Sequence, residues 1–281
     1  MLAFSVFSMH KFVIVLKTKR RLKYIKGEPM KEFISYEREN PNYIMNDYER
    51  FLPIILLIVI LFLLFIFKKK IRLNNKFERR LRYFFAGIII IVTSLFYLGN
   101  WIIKGLTINK LPLHLCYICN VLCAAILIKP NKKIFNFLLF AGVLGGISSI
   151  LSMDKSMSSR YLKYYYFMVA HLSIIIVPIY LSIINKWFIS KLELLRAYLI
   201  LQVMGLSMGI INSIYKTDYF FVSFTSNIAA KGTILEDLGT GYDYFIKLEF
   251  LSLIYFIVWY ISLTLYNSKF FSKKHKKIKS N

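Results

Sequence analysis

The sequence predicts an all-α fold: a polytopic membrane helix bundle of about seven transmembrane helices, with its C-terminus in the cytoplasm. Three observations carry this expectation. First, 57% of the 281 residues are hydrophobic and the mean hydropathy is +0.55, more apolar than a soluble domain of this size. Second, the apolar residues come in blocks long enough to cross a hydrocarbon core about 30 Å thick. Third, the Lys and Arg residues behind the net charge of +24 gather between the blocks, where topology signals sit. That distribution argues against nucleic acid as a partner, which a basic patch on a soluble domain would favour. Membrane phospholipids are the expected partner, and the cell membrane is the expected location.

Residues 1–50 stand apart from the transmembrane domain at 51–267. Residues 2–16 are apolar but contain His10 and Lys11, and a basic cluster follows them. That order is the reverse of a signal peptide. It suits an interfacial helix or an over-extended start. Lys26-Gly27-Glu28 can be encoded by a purine-rich stretch resembling a ribosome-binding site, which points to initiation at Met30. N-terminal peptide sequencing tests this, and a peptide beginning at Met1 or Leu2 would sink it.

Seven apolar runs follow, at 51–67, 83–103, 111–128, 134–151, 164–184, 192–214 and 244–266. The first, third and fourth are short and suit an upright or protein-covered span. Between the first two lies a basic segment from Lys68-Lys69-Lys70 to Arg82. Lys129, Lys132 and Lys133 follow the third run, and the 268–281 tail is again basic. The 215–243 loop instead holds Asp218, Glu236, Asp237 and Asp243. The positive-inside rule therefore assigns 68–82, 129–133 and the tail to the cytoplasm and the 215–243 loop to the outside. Neither a Walker A nor a GxGxxG sequence occurs, and neither a cofactor nor a metal is expected.

Residues 111–116 read Leu-Pro-Leu-His-Leu-Cys and open directly into the third run. Proline suits the first turn of a helix, where its missing N–H is not needed. At a rise of about 1.5 Å per residue, Cys116 sits roughly 8 Å below the outer end of its span and His171 roughly 10 Å below the end of the fifth. Glu249 enters the seventh span at a similar depth, and Asn212 and Asn100 close the outer ends of two others. These residues compose a polar layer in the outer half of the membrane, where polar groups are costly. Cys116, Cys119, Asn120 and Cys123 recur every three or four residues and share one helix face. His114 would point elsewhere, toward a headgroup or the loop. A neutral imidazole beside a thiol makes an acyl-group nucleophile, so Cys116 and His171 are the candidate catalytic pair. Glu249, Asn212 or a backbone carbonyl would orient the ring, and local backbone N–H groups or Asn212 would stabilise the oxyanion. His114, Asn212, Tyr219 and Glu249 are the candidate substrate-binding residues. Tyr215, Tyr219, Phe220, Phe221 and Phe224 suit either an interfacial aromatic belt or a lid over a lipid-accessible cavity. Leu235-Glu236-Asp237-Leu238-Gly239 reads as a helical turn ended by glycine.

Leu111-Pro112-Leu113-His114-Leu115-Cys116 resembles the signature of the YwaF-like integral membrane protein family, whose animal relative is transmembrane protein 164. The Gly142–Asp154 and Phe167–His171 segments, Asn212, Tyr219 and the Leu235–Gly239 segment resemble family features in the same order. The resemblance covers roughly 80–270. Asp218-Tyr219 stands where the family usually has Asn-Tyr, and Thr240-Gly241-Tyr242-Asp243 replaces a Trp-Pro. The resemblance implies a seven-span bundle. For the animal relative it implies acyl transfer onto ether phospholipids by a cysteine–histidine pair, matched here by Cys116 and His171. A related lipid hydrolase fold uses threonine and histidine in comparable places, which keeps hydrolysis open.

The function expected is a lipid acyltransferase or lipid hydrolase. Two other classes use the same residues differently. A transporter or substrate-binding subunit would use the polar layer for recognition alone. A thiol oxidoreductase would use Cys116-x-x-Cys119.

Overall fold

The apolar runs become helices, and among the described residues the computed structural model contains no strand. The described residues are 28–34, 45–153, 157–224 and 235–278. The reading of residues 2–16 lies outside them. A short α1, Glu28–Ile34, precedes α2, Asp47–Leu73, and α3, Asn75–Lys104. Then come α4, Leu115–Ile128, α5, Lys132–Leu151, α6, Leu162–Asn185, α7, Lys191–Tyr215, and α8, Gly241–Ile278. Six of these, α2, α3, α5, α6, α7 and the Gly241–Ser262 part of α8, are long and apolar enough to cross a membrane. The seventh apolar helix, α4, has only 14 residues, about 21 Å of rise.

Three boundaries differ from the expectation. The basic segment 68–82 is not a loop. Lys and Arg have good helix propensity, so α2 runs on to Leu73 and α3 begins at Asn75, leaving Asn74 alone to make the turn. Pro112 does not open α4. Leu111, restricted by the following proline, is extended (φ −76°, ψ 147°), and the helix starts only after His114. The last helix also continues through the basic tail as far as Ile278.

Each end of the bundle is fixed by polar contacts. At one end, Asn46 and Glu49 form a capping box at the start of α2, a reciprocal pairing that satisfies two orphan N–H groups. Buried Glu49 also accepts from the Ser159 N–H at 2.6 Å. Tyr164 donates to the Glu49 carbonyl at 2.8 Å. At the other end, Arg72 donates to the Ile183 carbonyl in the last turn of α6. Arg82 donates to the Leu127 carbonyl in the last turn of α4. Both guanidinium groups thus meet helix C-terminal carbonyls, where a cation is favourable.

Helix α6 is the central element and touches α2, α3, α4 and α5. Its close approach to α5 depends on small residues. A Cβ on Gly146 would stand 2.5 Å from Ile175 Cγ1, and one on Gly142 would stand 3.2 Å from the Ile174 carbonyl oxygen. Such small-residue contacts let membrane helices approach closely. A π-helical turn at Leu138–Gly142 lies in the same stretch of α5. Helix α8 packs outside, against α7 and, through the Tyr255 hydroxyl, onto the Phe140 carbonyl at 2.9 Å.

Candidate functional site

Cys116 occupies the first turn of α4, two residues after the N-cap His114. It packs against the central apolar core while staying partly accessible. Cys119, Asn120 and Cys123 continue the same face and are fully buried. Asn120 Nδ2 donates to Thr93 Oγ1 on α3 at 2.8 Å. Cys123 Sγ faces the Ser173 carbonyl on α6 at 3.6 Å. All three cysteines are free thiols.

Three tyrosines surround this end of α4. The Tyr97, Tyr117 and Tyr166 rings, from α3, α4 and α6, have mutual centroid separations of 5.7, 5.6 and 5.6 Å. Phe96 stacks on Tyr166 at 4.2 Å. Tyr117 follows Cys116 directly in the first turn of α4, so the cluster stands at the Cys116 end of the helix. Tyr97 is 8% exposed and Tyr166 only 2%. The two hydroxyls lie close enough to interact with each other. Neither makes a hydrogen bond of acceptable geometry among the described residues. An unpaired buried hydroxyl costs roughly 1–3 kcal/mol, so such groups are uncommon. Sequence reasoning missed this cluster. Aromatic residues near span ends read equally well as an interfacial belt, and nothing local marks Tyr97 as a partner of Tyr166.

His171 is buried on α6, and its Nδ1 lies 2.8 Å from the Phe167 carbonyl oxygen. A carbonyl accepts, so Nδ1 carries the proton and Nε2 is left as the basic nitrogen. No hydrogen bond joins His171 to Cys116 among the described residues. Register explains this. Tyr117 meets Tyr166 and Cys123 meets Ser173, so α4 and α6 run in the same direction. Cys116 is then level with Tyr166. His171, five residues on, lies roughly 7.5 Å deeper and about 140° around the helix. It shares the side of α6 on which Ile174 and Ile175 receive the α5 glycines.

The remaining expected site residues fall into two separate groups. His114 meets the 217–222 loop. Its Nε2 stands 3.6 Å from Asp218 Oδ1, and its ring lies 5.1 Å from Tyr219 and 5.4 Å from Phe221. The His114 side chain, acting across that gap, holds the Asp218 carboxyl below the usual carboxylate range. Tyr219 is buried, and its hydroxyl donates to the Ile108 carbonyl. Asn212 organises this loop. Its Nδ2 donates to the Tyr219 and Val222 carbonyls at 2.7 and 2.8 Å, and its Oδ1 accepts from the Tyr219 N–H at 3.0 Å and from Thr217 at 2.6 Å. Both Asn212 amide hydrogens are therefore committed, which removes it as a free oxyanion donor. Phe220 and Phe221 adopt left-handed backbone angles in the same loop, at φ 57° and 54°.

Glu249 lies with α7 and α8, away from α4 and α6. Ser252 Oγ is 3.3 Å from its carboxylate, and Gln202 Nε2 donates to Ser252 at 3.0 Å. The expected polar layer is thus divided, with His171 bonded to the Phe167 carbonyl and Asn100 to the Phe96 carbonyl of their own helices. Cys116 sits with the tyrosines, His114 with the Asn212 loop, and Glu249 with the α7–α8 pair. Beyond the loop, Glu236–Leu238 forms a 3₁₀ turn followed by Gly239 at φ 103°. Among the described residues no three His, Cys, Asp or Glu side chains are grouped to hold a metal ion.

No curated protein and no solved structure matches this chain. The sequence does match the family described as the TMEM164 family, over residues 45–261. That match covers more than half of the 281 residues, and with its apolar helices the chain is a multi-pass membrane protein that belongs to the TMEM164 family.

Proposed function

We propose that this protein transfers acyl groups of membrane lipids in the outer half of the cell membrane, to a second lipid or to water. The observation that carries the reading is the pair of buried Tyr97 and Tyr166 hydroxyls at the Cys116 end of α4, neither making a hydrogen bond of acceptable geometry among the described residues. In the proposed reaction Cys116 Sγ bonds to the carbonyl carbon of an ester, and the carbonyl oxygen becomes an oxyanion. The tyrosine hydroxyls donate to that oxygen. Preorganised donors in a water-poor site do most for such an intermediate. Neither hydroxyl is held by a well-formed hydrogen bond among the described residues, which leaves both available to it. The C–O bond then breaks, the departing lipid alcohol takes a proton, and a thioester remains on Cys116. A hydroxyl of the acceptor attacks the thioester and restores the thiol.

His171 is the proposed base and acid. Its Nε2 is left basic by the Phe167 carbonyl. Given its deeper register it exchanges protons with Cys116 through a water or the acceptor hydroxyl. His114 is the rival base, favoured by its Asp218 partner and its place two residues before Cys116. His114, Tyr219 and the Asn212 loop form the outer rim past which a lipid headgroup enters. Glu249 contributes to the α7–α8 side of that rim.

The test is acyl exchange by the purified protein in vesicles of diacyl and ether phospholipids. The reading expects loss of exchange in Cys116→Ala and His171→Ala. Full exchange in Cys116→Ala would remove the covalent mechanism. Loss in His114→Ala with retention in His171→Ala would transfer the base role to His114. Retention of a small polar solute instead of lipid would favour a transporter.

A further inference from the structure

We infer that the groove between α2, α3 and α6 binds an anionic phospholipid from the leaflet at the basic end of the bundle. This site is separate from Cys116, and the inference does not rest on acyl transfer. The groove has a volume of about 670 Å³, within the range of roughly 300–1,000 Å³ for ligand pockets. Leu64, Phe67, Phe85, Ile89, Val169 and Val177 give it apolar walls that suit an acyl chain.

Its charged lining, Lys70 and Arg82, lies with Asn74 at the end where α2 turns into α3; Ser173 and Tyr180 are the other polar lining residues. Arg82 is already committed to Glu78 at 2.7 Å and to the Leu127 carbonyl. Lys70 is exposed and has no hydrogen-bond or ion-pair partner among the described residues. Asn74 uses Oδ1 to accept from the Phe77 N–H at 3.0 Å, which leaves Nδ2 to donate. Lys70 and Asn74 are four residues apart, so their free donors lie on one side of the end of α2.

The charge of this end selects the headgroup. Residues 68–82 contain eight Lys or Arg and one acid, Glu78. Glu78 is occupied by Arg82 and by the Tyr180 hydroxyl at 3.0 Å. A phosphate finds two free donors and a field of cations there. A choline or ammonium group finds no free carboxylate. Basic pockets between membrane helices on the cytoplasmic side are suited to anionic headgroups. One acyl chain then lies along the groove toward Ile89 and Val169, and the phosphate sits on Lys70 and Asn74.

The experiment is native mass spectrometry of the full chain in neutral detergent, with equal amounts of phosphatidylglycerol and phosphatidylcholine. The expected result is one retained phosphatidylglycerol, favoured about fivefold per cationic contact. Lys70→Glu with Asn74→Asp should abolish the preference. Ile88 also lines the groove, and Ile88→Trp, which fills it, should reduce retention of both lipids. A second measurement needs no variant: phosphatidylglycerol with a diazirine on its acyl chain should label the groove residues of α2 and α3. Equal retention of the two lipids by the unsubstituted protein would overturn the inference. So would an unchanged preference in the double variant, or labelling spread evenly over α8. A dimer with its grooves covered and free of lipid would assign the face to a second copy instead.

Discussion

The Tyr97 and Tyr166 rings meet edge to face, with centroids 5.6 Å apart at 79°, and among the described residues neither buried hydroxyl makes a hydrogen bond of acceptable geometry. A structural role for these hydroxyls and a chemical one make opposite forecasts. If they serve only the reaction, Tyr97→Phe and Tyr166→Phe leave the melting temperature unchanged or raise it, with a stability change under about 1 kcal/mol. Each should lower acyl exchange by about 10²-fold, the usual weight of one oxyanion donor. A clear loss of stability with unchanged exchange would mean that the two hydroxyls bond each other and do nothing more.

Asn212 should be a stability residue. Its side chain makes four hydrogen bonds to the 217–222 segment, and Asn212→Ala leaves their buried partners unsatisfied. The expected cost is about 2–4 kcal/mol. Hydrogen exchange should show faster opening of the Tyr219 N–H. An unchanged exchange rate there would contradict the assignment.

The His114–Asp218 contact gives the loop a pH dependence of definite sign. Asp218 is held below the usual carboxylate range by His114. A depressed carboxylate adds stability that is present above its unfolded-state value and is lost as pH falls through its folded value. Asp218→Asn should therefore lower stability near neutral pH and match the parent in strong acid. The Asp218 side chain is 64% exposed, so the neutral-pH difference should stay under about 1 kcal/mol. Melting curves of both proteins from neutral to acid pH check this, and a gap that widens in acid would contradict it.

The α5–α6 contact should tolerate no added bulk. A Cβ on Gly146 would stand 2.5 Å from Ile175 Cγ1, and Gly146→Val should cost about 1–3 kcal/mol. Gly145, with open space around its missing Cβ, is the control: Gly145→Ala should be nearly neutral. Thermal melts of the two variants should differ clearly, and similar melts would contradict the packing.

The helices were legible in the sequence because a membrane span declares itself by apolar length alone. The ends were less so. Lys68 to Arg82 reads as a loop by charge, yet every residue there except Asn74 is a good enough helix former to extend α2 or α3. Pro112 reads as a first helical turn, but its restriction of Leu111 keeps the chain extended until the helix begins at Leu115. Cys116 was legible because a thiol beside Pro112 and His114 is unusual at a span entrance. The capping pair Asn46 and Glu49 carries a sequence signal as well, a three-residue spacing just before an apolar run. Tyr97 and Tyr166 were not, because their meeting depends on how α3 and α6 pack. Depth counting put Glu249 level with Cys116, but depth does not say which neighbour a helix face meets.

The central claim is a thioester on Cys116. Intact-protein and peptide mass spectrometry after exposure to phospholipid vesicles tests it most directly. The account predicts one acyl-chain mass increment on Cys116, removed by neutral hydroxylamine and missing from Cys116→Ala. Lipid exchange that proceeds undiminished in Cys116→Ala would contradict it, as would the absence of any acyl increment on the unsubstituted protein.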